Sequence, residues 1–127
     1  MKEEIFTNLA PKPIGPYSQA IRIGDFVFLS GQIPINPATG EIIKGDIETQ
    51  TEQVMSNVKA VLKEAGMDFS NVIKTTIYLT DLQHFSKVNE IYERYVEKPY
   101  PARSTVEVKG LPKGALVEIE VIACEKK

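Results

Sequence analysis

The clearest periodicity in the chain is helical. Ile47, Thr51, Val54, Val58, Val61, Leu62 and Ala65 recur at spacings of three and four, which puts them on one face of an amphipathic helix. Gly66 follows where a left-handed residue would end that helix. The opposite positions, Glu48, Glu52, Gln53, Lys59 and Lys63, read as solvated surface. A second stripe, Phe85, Val88, Tyr92 and then Tyr95 or Val96, begins just after Thr80-Asp81, a pair suited to capping a helix start. Asn89 lies on the same stripe and so faces inward, where an unpaired amide would cost about 1–3 kcal/mol. His84, at the start of this helix, reads as a solvated imidazole.

The rest of the patterning is of β type. Gln19 to Ile23 and Phe26 to Gly31 read as strands joined at Gly24-Asp25, a dipeptide that supplies the dihedrals of a tight hairpin. The run Phe26-Val-Phe-Leu29 is apolar on both faces and predicts a central strand. It ends in Ser30-Gly31-Gln32, where small residues open space beside the backbone, either for a ligand or simply to relieve crowding at a bulge. Val72 to Leu79, β-branched and aromatic, is a further strand. Ile5 to Pro13 alternates weakly and meets two prolines, so it predicts an edge strand or an irregular lead-in. Ile14-Gly-Pro-Tyr-Ser18 is a compact turn that fixes Tyr17 at a bend, either as an aromatic lid or as a ligand contact.

The last stretch, Pro101 to Glu120, sets one arginine among small residues. Runs with β alternation, Ala102 to Val108 and Leu116 to Cys124, flank Gly110-Leu-Pro-Lys-Gly114, whose glycines and proline mark a chain reversal and predict a hairpin. In such a hairpin Glu118 and Glu120 project near the strand that carries Arg103, leaving Arg103 either paired with one of them or free for a ligand. The element order is strand, strand, strand, helix, strand, helix, strand, strand, an α+β class with two helices on one face of a mixed sheet. The uncovered face carries too much apolar surface for water, which predicts a homo-oligomer.

Length and charge narrow the function. At 127 residues with 43% hydrophobic and 25% charged, residues 1–127 fit a single globular domain. One cysteine, Cys124, and one histidine, His84, leave no disulfide framework and no Cys/His cluster for zinc, so no metal is expected. A net charge of −2 gives no basic field for phosphate backbones, so nucleic acid is not expected as a partner. No apolar run reaches bilayer length and Met1-Lys-Glu-Glu-Ile5 has no apolar signal core, so no membrane partner and a cytoplasmic address are expected.

Ile14-Gly-Pro-Tyr17, Ser30-Gly-Gln32, Asn57-Val-Lys59 and above all Pro101-Ala-Arg-Ser104 with Val117-Glu-Ile119 resemble the RidA family, also called YjgF/YER057c/UK114, across essentially the whole chain. The resemblance implies a chorismate-mutase-like α+β fold and a homotrimer with clefts between subunits. It implies hydrolysis of reactive 2-imino and enamine acids, such as 2-iminobutanoate and 2-iminopropanoate, to 2-oxo acids and ammonia without a cofactor. In that reading Arg103 holds the substrate carboxylate with its planar fork and Glu118 orients or deprotonates the attacking water, with Glu120 ranked second as the base. Tyr17 closes the pocket or bonds the substrate, Gly31 and Thr105 line it through their backbone, Asn89 adds a polar contact, and Ser30 stands beside them. Several relatives carry cysteine where this chain has Thr105, so a thiol switch there has no counterpart. Two other functions go with the resemblance: a carboxylate-binding trimer acting through a partner protein, and a ribonuclease. Against the second stand the single histidine and the acidic charge balance.

Overall fold

Asp46 accepts the Thr49 amide at 2.9 Å and so starts helix α1, Ile47–Glu64, in the computed structural model, which describes residues 1–125. All seven stripe residues named from the sequence are buried, and Gly66 (φ 75°) terminates the helix in the left-handed region. The strands are β1 Glu3–Ile5, β2 Ala20–Ile23, β3 Phe26–Gln32, β4 Val72–Leu79, β5 Ala102–Glu107 and β6 Val117–Cys124, with helix α2, Phe85–Tyr95, between β4 and β5. The order is the expected one. The first strand, Glu3–Ile5, ends where the stretch Ile5 to Pro13 begins, and the rest of that stretch is the irregular lead-in of the two alternatives.

The six strands form one sheet in the order β1-β2-β3-β6-β4-β5, antiparallel throughout except for β4 and β5. This overturns the hairpin expected between Pro101 and Glu120. The two runs are strands, but β4 lies between them. A parallel neighbour needs a crossover, and α2 supplies it between β4 and β5. The turn at Pro112–Gly114, where Lys113 (φ 57°) and Gly114 (φ 71°) are both left-handed, then carries the chain past β4. There β6 pairs with β3 on one side and β4 on the other. Centrality suits β6 because Val117, Ile119, Val121 and Ala123 are all buried on its helix-facing side.

Strand parity now assigns every side chain to a face. Thr75, Ile77 and Leu79 of β4 join the odd positions of β6 on the side covered by α1 and α2. On the other side no helix of the described residues lies, and Ile23, Phe26 and Phe28 stand 50%, 43% and 44% exposed. Phe28 lines up with Ile21 on β2 and Ile122 on β6, so the open face carries an apolar row across three strands. Two helices leave one face of the sheet uncovered, as the sequence indicates. No helix among the described residues is long and apolar enough to cross a membrane.

Candidate functional site

Arg103 lies on β5 in register with Thr75 of β4, and so projects to the helix side. Its guanidinium Nη1 donates to Asn89 Oδ1 at 2.7 Å, and its Cζ sits 5.3 Å from the Phe85 ring centroid and 5.2 Å from that of Tyr92. Asn89, Phe85 and Tyr92 are the polar and aromatic members of one stripe on α2, spaced so that all three reach a single point. Tyr92 is fixed from behind, its hydroxyl 2.7 Å from Thr75 Oγ1, and burial pushes its pKa up. Among the described residues no carboxylate pairs with Arg103. Its charge is oriented by one amide and two ring faces and stays available. It opens on a cavity of about 390 Å³ lined also by Glu93, Val96, Tyr100 and Pro101.

Glu118 is elsewhere. It is in register with Tyr78 and projects to the open face of the sheet, opposite to Arg103, so neither the predicted proximity nor an ion pair forms within the protomer. The hairpin underlying that expectation is absent. Glu118 rests against Gly31, where a methyl group would come within 2.8 Å of its Cδ. Gly31 occupies the register shift between Leu29 and Gln32, so the irregularity and the close approach coincide. Burial first, and the charge of Glu120 second, raise the Glu118 pKa above the usual carboxylate range. Glu120 lies on the same face and accepts from the Tyr78 hydroxyl at 2.8 Å.

A second cavity, about 460 Å³, joins Glu118 and Glu120 to Ser30, Gly31 and Tyr17. Tyr17 is half exposed at its mouth and its hydroxyl accepts weakly from the Ile14 amide at 3.4 Å. Ser30 Oγ donates to the Ser18 carbonyl at 2.6 Å, which ties the Tyr17 turn to β3. Thr105 follows Arg103 on the helix side in register with Ile77, with its hydroxyl buried and unpaired among the described residues.

The expected residues therefore fall into two groups, Arg103, Asn89 and Thr105 on one side of the sheet and Tyr17, Ser30, Gly31 and Glu118 on the other. Sequence reasoning missed Phe85 and Tyr92 as the cradle of Arg103, although their spacing around Asn89 was the signal. It also missed Gln19, 1% exposed, whose side chain accepts from the Thr7 amide and donates to the Thr7, Ala10 and Pro11 carbonyls, anchoring the segment that leads to Tyr17. His84, expected in solvent, is half-buried, with an Nδ1 that has no partner among the described residues.

Residues 7–125 match the family model described as Endoribonuclease L-PSP. A RutC family protein of Pyrococcus abyssi is 58% identical over 122 residues, covering 96% of both chains. The chloroplastic Reactive Intermediate Deaminase A of Arabidopsis thaliana is 51% identical over 122 residues, covering 96% of this chain and 65% of its own. The fold is similar to that of RidA from an Antarctic Psychrobacter (TM-score 0.92, 43% identity, 96% and 98% of the two chains). It is equally similar to that of Escherichia coli TdcF with bound serine (TM-score 0.92, 42% identity, 98% and 99%). With the arginine, glycine and glutamate motifs each built into the same α+β sheet, the chain belongs to the RidA/YjgF family.

Proposed function

We propose that this protein hydrolyses small reactive 2-imino and enamine acids, 2-iminobutanoate and 2-iminopropanoate among them, to 2-oxo acids and ammonia, in clefts between the subunits of a homotrimer. The observation that carries the proposal is the uncommitted charge of Arg103, oriented by Asn89 and two aromatic rings at the mouth of a cavity. A planar guanidinium so held suits bidentate binding of a carboxylate. A family relative carries serine, an amino acid with the same carboxylate and a nitrogen on the adjacent carbon, in its crystal structure.

Arg103 binds the substrate carboxylate and so fixes the neighbouring imine carbon. Glu118 of an adjacent protomer, with its proton affinity raised by burial, takes a proton from water as the oxygen adds to that carbon. Glu118 passes that proton to nitrogen to give the carbinolamine, then relays the proton of the new hydroxyl to the amine as the C–N bond breaks and the carbonyl forms, so that ammonia leaves with the 2-oxo acid. Imines hydrolyse in water unaided, so positioning and a proton relay through one carboxylate are all that the site must add. The open apolar face around Phe26 and Phe28 is the natural contact surface for the trimer. An RNA-cleaving reading has no comparable support, because the cavity at Glu118 and Glu120 presents carboxylates where phosphates would lie.

Arg103→Ala tests the reading. The variant is expected to stay folded and oligomeric while freshly generated 2-iminobutanoate decays no faster than in buffer. An R103A protein with wild-type hydrolysis, or a wild-type protein with none, overturns it.

A further inference from the structure

The two carboxylates of the open face differ in what holds them, and the difference comes from a residue that the proposed chemistry does not use. Tyr78 is the cross-strand partner of Glu118 in the β4–β6 register, yet its hydroxyl passes Glu118 by and donates to Glu120 Oε1 at 2.8 Å. Glu118, two residues away on the same face, rests over the bare Cα of Gly31. One carboxylate is thus clamped by a phenol and the other is left against a glycine, at the wall of a shared cavity.

We infer that Tyr78 is a positioning residue that divides the labour of this pair: it holds the Glu120 carboxyl group in one place beside Glu118 and thereby keeps Glu118 as the carboxylate that exchanges protons with substrate water. This rests on the deaminase reading for its chemistry, but the electrostatic arrangement belongs to the protomer alone.

The physical basis is the repulsion of like charges. A donor aimed at a carboxylate favours its charged form and restricts its position. A charge held close on the same strand face disfavours ionisation of its neighbour, and Glu118 is raised by burial and then by Glu120. The reciprocal mark is on Tyr78, whose own pKa is raised by the hydrogen bond to Glu120 first. The other groups facing the pair are few. The segment before β2 contributes Lys12 and Tyr17 to the cavity; β3 contributes Ser30 and Gly31, neither of which titrates near neutrality; β4 carries Lys74 on the same face, two turns of the pleat from Tyr78. None of them takes the place of the phenol at Glu120 among the hydrogen bonds of the described residues.

Tyr78→Phe removes the hydroxyl and keeps the ring. The carboxyl carbons of Glu118 and Glu120 are followed by ¹³C NMR across pH in wild type, Y78F, Glu120→Gln and the double variant, and the pH dependence of kcat/KM for 2-iminobutanoate is recorded on the same samples. The Glu118 midpoint is expected to move to lower pH in Y78F and in E120Q, and the double variant is expected to move no further than E120Q, because Tyr78 acts through Glu120. The acid limb of kcat/KM should follow it in direction. An unmoved Glu118 midpoint in Y78F, or shifts that add in the double variant, would overturn the inference whatever the activity does. A midpoint that moves while the rate profile stays fixed would leave the arrangement standing and remove Glu118 as the base, so the two readings fail separately.

Discussion

Gly31→Ala is the sharpest probe of whether Glu118 must sit where it does. Gly31 has no positive φ, so alanine fits its backbone without strain. The three nearest atoms are all those of Glu118: a Cβ would lie 2.8 Å from Cδ and 3.1 Å from Cγ, and closer still to Oε2. Contacts under 3.0 Å are not tolerated, and because the nearest atoms belong to the far end of the flexible Glu118 side chain, the carboxylate and not the strand gives way. The oxygen must then retreat by about 1 Å, the displacement at which catalytic alignment loses roughly 10²-fold, or about 2.7 kcal/mol in the barrier. The cost to folding should be small by comparison, within about 1 kcal/mol, because a half-exposed side chain can swing toward the cavity. Stopped-flow decay of 2-iminobutanoate gives kcat/KM, and thermal unfolding reports the fold. The expected pattern is a folded protein with a Tm within a few degrees of wild type and kcat/KM down by roughly two orders of magnitude. A folded G31A within about threefold of wild-type kcat/KM would show that the carboxylate tolerates an ångström of displacement, and the role given to Glu118 would fall with it.

Glu118→Gln should make the protein more stable while removing hydrolysis. The folded-state pKa of Glu118 lies above its unfolded value, so ionisation opposes folding at neutral pH and that opposition is lifted as pH falls through the folded pKa; the Tm advantage of E118Q at pH 7 should therefore shrink on acidification, and a constant advantage, or none, would contradict the burial argument. Co-refolding inactive R103A with inactive E118Q should restore about a quarter of wild-type activity by random assembly, since a subunit of one kind can lend Glu118 to the Arg103 of the other. Mixtures that stay inactive while the oligomer forms would rule out a cleft shared between subunits.

Local chemistry was legible in the sequence and long-range pairing was not. The α1 stripe, the Gly24 hairpin (φ 57°) and the order of all eight elements follow from spacing and turn residues, which act within a few positions. The partner of a strand is set by competition among all strands. Nothing in Ala102 to Val108 says that β4, thirty residues earlier and across a helix, will outbid the run that comes next. Asn89 shows the same limit from the other side: its inward amide was evident from the stripe, but not that its partner within the chain would be Arg103. Gly31 was read as either crowding relief or ligand access. The structure shows the first, and what the glycine relieves is contact with Glu118, a candidate catalytic carboxylate.

The failed hairpin carries the strongest argument about how the molecule works. Had β5 and β6 paired directly, Arg103 and the glutamates could have met within one chain and neutralised each other. With β4 between them, parity sends Arg103 to the helix side and Glu118 to the open side, and the thickness of a sheet separates two groups that the proposed reaction needs on one small molecule. A 2-imino acid has its carboxylate and its electrophilic carbon one bond apart, so no side-chain motion within a protomer brings both groups to it. The chemistry then requires a second copy, and the same sheet provides the means, because the face that displays Glu118 also displays the apolar row through Ile21, Phe28 and Ile122. Keeping the arginine and the carboxylate on opposite faces prevents a self-quenching ion pair in the protomer, and in the proposed reaction assembly would be the step that completes the site.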